Sequence, residues 1–374
     1  MSEKVLITGG AGFIGSHTAD LLLKKGYQVR ILDNLSEPVH KDHQWPFYVK
    51  DKGIELIQGD IRGKSYIEKA LKNNVDYIIH LAAYQDYQPN FSKFFHVNTM
   101  GTALLYEAIV EKSFEVKKIV VASSQAVYGE GKYYCFNCGE NYPNQRSIRN
   151  LERGDFDILC NRCGVEMFPQ PIKETNQVNP HNQYAISKYA QEMLALNLGK
   201  RYNIPTVGMR YSITIGPRQS PHNLYSGALR NFTNRLLNDL PPLVYEDGAQ
   251  LRDYVSVQDV ARSNIFVMEN DDIDYDIFNV GGYNAYSVFD LAKMVSSLSS
   301  KNIEPEICGL FRFGDTRHIT SDTSELQSYG WKHKVTVGES ISEYLEYILR
   351  NQDLMDLNES SHKNMIRTGV LRKW

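Results

Sequence analysis

Apolar positions along this chain fall into two rhythms that take turns. Val5, Leu6 and Ile7 form a short unbroken run, the pattern of a strand covered on both faces in a parallel sheet. Phe13, Ile14, His17, Leu21 and Leu22 then recur at helical spacing, Gly26 ends the helix, and "YQVRILD" rises into a second strand. "GIELIQGDIR" predicts a third strand ending at Asp60, and "VDYIIHLAA" a fourth ending at Ala83. "VKKIVVASS", "IPTVGMRYS" and "DIFNV" predict a fifth, sixth and seventh, with helical segments such as "NTMGTALLYEAIVEK" between. Strand and helix in alternation predict an α/β fold with a doubly wound parallel sheet and ligands at the carboxyl ends of its strands.

The turn after the first strand adds chemistry. "TGGAGFIG" fits two glycine registers, Gly10-x-Gly12-x-x-Gly15 and Gly9-x-x-Gly12-x-x-Gly15. Either lets the backbone turn tightly and approach a pyrophosphate at a helix N-terminus. Glycines also punctuate ordinary turns, but here strand, turn, helix and second strand all agree. Asp33 ends that second strand, where an acid would take the ribose hydroxyls of adenosine and repel a 2'-phosphate. The segment predicts NAD binding in preference to NADP, on a Rossmann sheet.

The expected organisation follows. Residues 1–211 form the NAD-binding domain, interrupted by an insert at 131–170, and 255–282 return to it. Residues 212–254 and 283–350 form a smaller, mainly helical C-terminal substrate domain, and 351–374 a polar, mobile tail. Apolar residues make up 42% of the 374 and charged residues 23%, an ordinary globular balance. A net charge of -3 argues against a general nucleic-acid-binding surface. No apolar run approaches the roughly 18 residues that cross a bilayer, so no membrane partner is expected. "MSEKVLITGGAG" enters a strand at once, leaving no room for a signal peptide. The expectation is a soluble cytoplasmic protein with reduced cysteines, which favours metal over disulfide where cysteines pair.

Tyr184 and Lys188 stand four apart in "YAISKYAQEML", a helix by its periodicity, and so share a face. A lysine beside a phenol would stabilise the phenolate, and Ser124 at the end of the fifth strand would hold a substrate hydroxyl beside it. Alone, this spacing also describes a half-buried tyrosine with an ordinary exposed lysine. With "TGGAGFIG", "HLAA" and "SSQAVYG", however, the set resembles the extended short-chain dehydrogenase/reductase family, and within it the nucleotide-sugar epimerases and dehydratases. "FFHVNTMGT", "RYSITIGPRQ", "YEDGAQLRDYVSVQDVA", "NVGG" and "FGDTRHITSDTSELQSYGW" extend the resemblance over most of residues 1–350.

That resemblance implies Tyr184 as base, Lys188 as its partner and ribose ligand, and Ser124 as the group polarising the hydroxyl. It implies Gly9, Gly12, Gly15 and Asp33 around NAD, with Phe13, Ile14 and Asn34 beside them. Asp60 and Ile61 would flank the adenine, Leu81, Ala82 and Ala83 would line the cofactor, and Asn98 would lie under the fourth strand. Arg252 and Arg312 match the arginines that grip the nucleotide diphosphate, a role that suits bidentate guanidinium. Tyr84, Gln85, Asp86 and Tyr87 would face the sugar, with Gln125. The sugar dehydratases carry an acidic pair after the catalytic hydroxyl, where this chain has Gln125 and Ala126, so dehydration and decarboxylation lose ground. Many relatives also have an asparagine where Ile213 stands. The reaction implied is a transient oxidation at carbon 4 through a 4-keto sugar, with NAD regenerated. "AYQDYQPN" and the insert resemble, more narrowly, the dTDP-L-rhamnose 4-epimerases.

The insert holds four of the five cysteines, as Cys135-x-x-Cys138 and Cys160-x-x-Cys163, each pair followed by glycine. Two such knuckles complete a tetrahedral zinc shell with no open position, a structural zinc-ribbon-like site. A redox dithiol or an unfilled relic is the other reading. A loop of this length needs tying down, and one ion does that where little else can form a core. Cys308 reads as a small buried residue. The module would roof the sugar pocket or contact a second subunit in a homodimer. A competing function is a regulatory or nucleic-acid-binding protein using Arg146, Arg149, Arg153 and Arg162, countered by Glu140, Glu152, Asp155 and Asp157. A net 4-keto-sugar reductase is the alternative among enzymes.

Overall fold

A computed structural model describes residues 2–86, 88–221, 223, 227–351, 363 and 365–374. Seven parallel strands form the central sheet. The first five in the chain are β1 (Lys4–Thr8), β2 (Gln28–Asp33), β3 (Glu55–Gln58), β4 (Tyr77–His80) and β5 (Lys118–Ser124). Thr206–Tyr211 and Ile277–Val280 complete the sheet, whose order is Ile277–Val280, Thr206–Tyr211, β5, β4, β1, β2, β3. The chain runs outward from β1 to β3, then returns to β4 on the other side. That reversal opens a crevice at the carboxyl ends of β1 and β4.

The continuous apolar runs are explained by cover on both faces. Val5, Ile7, Val29 and Val120 pack in a cluster with Ala19 and Leu22 of α1 (Phe13–Lys24) and with Val260 and Val267 of the helix Val257–Glu269. On the other face Leu6, Leu32, Ile78 and Ile119 meet Ile67, Leu105 and Ala195 from three helices. A third cluster, with Phe232, Leu291, Val295, Ile341 and Tyr344, lies in the segment expected as the substrate domain. The boundary expected at 254 falls inside the strand Leu251–Ser256, whose Ser256 caps the next helix.

Two expectations are corrected. Residues 365–374 are not a mobile tail: Leu371–Lys373 pairs antiparallel with Leu310–Arg312, and the Trp374 ring meets Phe156 edge-on at 5.4 Å. Met365 and Leu371 are buried there, two apolar anchors hidden in a polar stretch. The insert also has more packing of its own than expected, though its cysteines are part of it: Cys135 and Cys160 are buried in its main cluster. A three-stranded antiparallel sheet (Gly139–Asn141, Tyr133–Cys135, Phe168–Pro169) borders a small cluster of Tyr133, Cys135, Ile158, Cys160 and Met167. Leu151 and Phe156 form another with Phe311.

Candidate active site

A cavity of about 870 Å³ runs along the carboxyl ends of the strands, from the glycine turn to Arg312. Gly9, Gly12, Phe13, Ile14 and Gly15 line one end of it. Gly9 has φ +70°, and a Cβ there would sit 2.7 Å from the Ala82 nitrogen. A Cβ at Gly15 would lie 2.5 Å from the Gly9 carbonyl oxygen. Gly10 is off the wall and packs on Ile31, so the two registers divide the work: one lines the cavity, the other seats the turn. The first turn of α1 carries no acidic residue and no side-chain cap. Its free N–H groups and dipole therefore suit an anion, which fits the diphosphate of a dinucleotide.

Asp33 lies on the wall, with Oδ2 accepting from Ala11 N at 3.0 Å and Oδ1 from Leu35 N at 2.9 Å. Burial holds its carboxyl above the usual range. His40 Nε2 stands 3.9 Å from Oδ1 and also lines the cavity. The polar stretch "SEPVHKDH" gave no sign of that neighbour. Asn34, Ile61, Leu81, Ala82 and Ala83 are on the wall. Asp60 is not: it turns to Asn34 Nδ2 and pairs with Arg62 at 2.8 Å. Asn98 is also off the wall, fully buried. Its Oδ1 accepts from Tyr84 N at 2.7 Å and its Nδ2 donates to Ser187 Oγ at 2.9 Å, so it ties the loop after β4 to the helix Gln183–Tyr202. Neither residue lines the cavity, and both side chains are engaged by these bonds.

Ser124 ends β5 in an extended conformation and caps the short turn Gln125–Tyr128, accepting from Ala126 N at 3.2 Å. Tyr184 opens the helix Gln183–Tyr202, which Asn182 caps by accepting from Ala185 N at 2.9 Å. Strand end and helix start thus meet, and Ser124 and Tyr184 both line the cavity there. Lys188 follows one turn on, buried, its Nζ donating to Gln191 Oε1 at 2.5 Å. Burial brings the Lys188 amine down to about 7. Burial pushes the Tyr184 phenol up, with Ser124 pulling the other way. The expected depression of the phenol by Lys188 is therefore corrected: desolvation dominates, and the lysine engages Gln191.

The far end collects Tyr84, Gln85, Asp86, Gln125, Arg252 and Arg312. Tyr87 lies outside the described residues. Tyr84 Oη donates to Asp86 Oδ2 at 3.0 Å, and Lys93 Nζ stands 4.3 Å over the Tyr84 ring. Ile213 is on the wall, and polar groups missed in the sequence, Asn231, Arg235 and Tyr245, line it too. Behind Gln125 a relay was missed as well. Ser321 Oγ donates to Gln125 Oε1 at 3.4 Å, while Asp253 Oδ2 accepts from Ser321 N and Ser212 Oγ.

The NAD dependent epimerase/dehydratase family matches residues 5–147 and 163–281. The chain belongs to that family. The stretch the family pattern skips, 148–162, lies wholly inside the insert. A dTDP-L-rhamnose 4-epimerase of Burkholderia thailandensis is 31% identical over 94% of this chain and 96% of its own. A putative UDP-glucose 4-epimerase of Methanocaldococcus jannaschii is 29% identical over 93% and 99%. Among solved structures, the UDP-glucose 4-epimerase of Thermotoga maritima with UDP-glucose is 26% identical, covering 94% of this chain and 100% of that one, at TM-score 0.75. That of Thermus thermophilus, in complex with NAD, is 28% identical over 92% and 99%, at TM-score 0.73.

This family member carries its cysteines apart from the cavity. The Sγ atoms of Cys135, Cys138, Cys160 and Cys163 all lie within 4.8 Å of one another, and Cys135 and Cys163 are 3.5 Å apart. A zinc ion about 2.3 Å from each of four thiolates would set the sulfurs about 3.8 Å apart, so a group of this kind could hold one. The backbone N–H of Arg162 favours the Cys160 thiolate, while the neighbouring Cys163 sulfur holds the Cys138 thiol up and burial holds Cys135 up. Cys308 is half-buried rather than buried, its Sγ 3.3 Å from the Val244 carbonyl. Arg146 is buried among carboxylates, which removes it from any surface offered to phosphates.

Proposed function

We propose that this protein inverts carbon 4 of a nucleotide-activated sugar, with a dTDP-linked 6-deoxyhexose of the rhamnose type as substrate. NAD-dependent nucleotide-sugar epimerisation is the activity of this enzyme; the sugar is the finer step. The observation that carries the reading is the meeting of Ser124, Tyr184 and Lys188 with the glycine turn in one cavity. The Burkholderia relative, at 31% identity over nearly its full length, supports the sugar. Gln125 and Ala126 offer no acid to expel water, which favours epimerisation over dehydration.

Gly9, Gly12, Gly15 and Asp33 would hold NAD, with Lys188 placed for its ribose. NAD, when bound, supplies a two-electron acceptor that gives back what it takes, so none is consumed. Ser124 Oγ would hold the carbon-4 hydroxyl while Tyr184 Oη, as phenolate, takes its proton; with the carbon-4 hydrogen passing as hydride to the two-electron acceptor, a 4-keto sugar would remain. Arg252 and Arg312 keep the diphosphate in place while the sugar turns, spending remote binding energy on the reacting end. Tyr184 then returns the proton to the oxygen as carbon 4 is reduced from its other face. A net reductase would need cofactor supplied for every turnover, and nothing favours it.

The four cysteines hold one structural zinc, and their closed sulfur shell leaves no position for substrate. Two copies associate through the helix Gln183–Tyr202, whose Ile186 and Met193 are exposed apolar residues. Among the described residues no helix is long and apolar enough to cross a membrane, in keeping with a cytoplasmic site of action. Incubation with a panel of dTDP- and UDP-sugars, followed by NMR of the products, tests the reading. A carbon-4 epimer of the dTDP-6-deoxyhexose is expected. Turnover of UDP-hexoses alone would refute the sugar, and no turnover of any member would refute the epimerisation.

A further inference from the structure

The segment from Glu130 to Phe168 meets the substrate wall through buried charge. Arg146 gives Glu246 a forked pair of hydrogen bonds at 2.8 and 2.9 Å. Its Nη2 also donates to the Asp315 carbonyl at 2.9 Å. Asp157 Oδ1 accepts from Arg317 Nε at 3.0 Å and Nη2 at 2.7 Å, and Glu130 Oε2 accepts the Arg317 backbone N–H at 2.7 Å. Arg146, Glu246, Arg317 and Glu130 are all nearly sealed from solvent.

Asp315 and Arg317, clasped in this way, and Thr316 between them hold both arginines of the substrate wall. Arg312 Nε donates to Asp315 Oδ2 at 2.8 Å. Arg252 Nη2 donates to the Thr316 carbonyl at 2.6 Å, and its Nη1 to the Arg317 carbonyl at 3.0 Å. The path from the cysteine segment to the cavity is therefore Arg146 and Asp157, then residues 315–317, then the two guanidinium groups. Removing Arg146 would leave Glu246 with Arg317 Nη1 at 3.4 Å, a poor replacement for a buried carboxylate. The loop would shift to hydrate it, and both arginines would shift with the loop.

We infer that Arg146 is a positioning residue for nucleotide-sugar binding, through which the four-cysteine segment sets substrate affinity while turnover and NAD binding stay nearly unchanged. The inference rests on reading the cavity as a nucleotide-sugar site. A residue that only supports the fold would instead lower stability, NAD affinity and turnover together.

The test uses R146M, which keeps the apolar stem without the charge, and R146K, which keeps the charge without the fork. Binding of dTDP and UDP by calorimetry needs no turnover and is read beside NAD affinity, KM and kcat. For R146M we expect KM and the nucleotide dissociation constant to rise roughly 10-fold, with kcat within about 3-fold and NAD affinity unchanged. R146K should recover part of that loss. C138S should shift affinity in the same direction, and the double variant should fall short of the product of the two effects, because both act along one path. Unchanged nucleotide affinity in folded R146M overturns the positioning role, as does a parallel loss of NAD affinity and turnover. Native protein that binds neither nucleotide overturns the reading of the cavity itself. Should R146M not fold, D157N at its more exposed carboxylate carries the same test with a smaller expected rise.

Discussion

The cofactor wall of the cavity begins within the first 35 residues, with glycines at one strand end, a helix start and an acid at the next strand end, and Ile61 and Leu81 to Ala83 extend it from the strands that follow. The opposite wall is made of side chains drawn from segments as far apart as Tyr84 and Arg312. At the first wall the atoms that matter are fixed by hydrogen bonds within the sheet, and the threat is any added carbon. At the second they are fixed by side-chain hydrogen bonds, such as those of Arg252 to the Thr316 and Arg317 carbonyls and of Gln125 to Ser321, and the threat is any lost polar partner. The difference lets one fold keep its redox cofactor while its substrate end varies.

The largest effect should come where the walls meet. Tyr184→Phe keeps the ring packing and removes the acceptor of the proton. Turnover should fall by roughly 10²-fold or more while nucleotide-sugar affinity barely changes. Steady-state kinetics with calorimetry checks this, and near-normal turnover would take Tyr184 out of the mechanism.

The cofactor wall should break through an added methyl. In Gly15→Ala the new carbon would lie 2.5 Å from the Gly9 carbonyl oxygen and 2.6 Å from Gly10 Cα, so the turn must open. Such strain costs about 1–3 kcal/mol. NAD affinity should fall by ten-fold or more, while dTDP binding at the other wall stays within about two-fold. Equal losses at both ends would show that the walls are not independent.

These walls were unequally legible in the sequence. Gly9, Gly12, Gly15 and Asp33 could be named because their function depends on local order: strand, turn, helix, strand. Ser124 and Tyr184 could be named because each sits at the end of a periodic element. Asn98 and Asp60 were assigned to the cofactor by family pattern; the structure buries Asn98 in bonds to Tyr84 and Ser187 and pairs Asp60 with Arg62 and Asn34. Arg146 was read as one of several insert arginines. Its burial is set by Glu246, a hundred residues away, and no periodicity records such a pairing. The strand Leu371–Lys373 escaped notice because only Leu371 in it is apolar and its partner strand carries the pairing information.

A smaller effect should appear with pH. His80 is buried between Thr8 and Thr102, and burial brings its imidazole down to about 3. Above pH 6.5 it is neutral both folded and unfolded, so stability there does not depend on it. Below pH 6.5 the unfolded chain takes up the proton and the native one does not, so stability falls as pH falls toward 3. Between pH 6.5 and 5 the loss from this residue is on the order of 2 kcal/mol. Urea unfolding at both values measures it, and equal stability at the two would show that His80 is reached by solvent in the native state.

The smallest effect on turnover should come from the cysteines, because they stand outside both walls. Native protein purified without chelator should carry one zinc per chain by metal analysis. Replacing Cys138 and Cys163 by Ser should release it, since two thiolates cannot keep a structural shell closed. The seven-stranded sheet should survive, because all its strands lie outside residues 131–170. Hydrogen exchange should quicken first around Cys135–Cys163. It should quicken less at Leu151 and Phe156, which pack on Phe311 and do not depend on sulfur. Turnover at saturating substrate should stay within about 3-fold of native, with KM rising as the clasp on residues 315–317 loosens. Native protein without zinc would remove the metal from this account. Global unfolding of the double variant would show instead that the insert's own apolar clusters and ion pairs cannot stand without it.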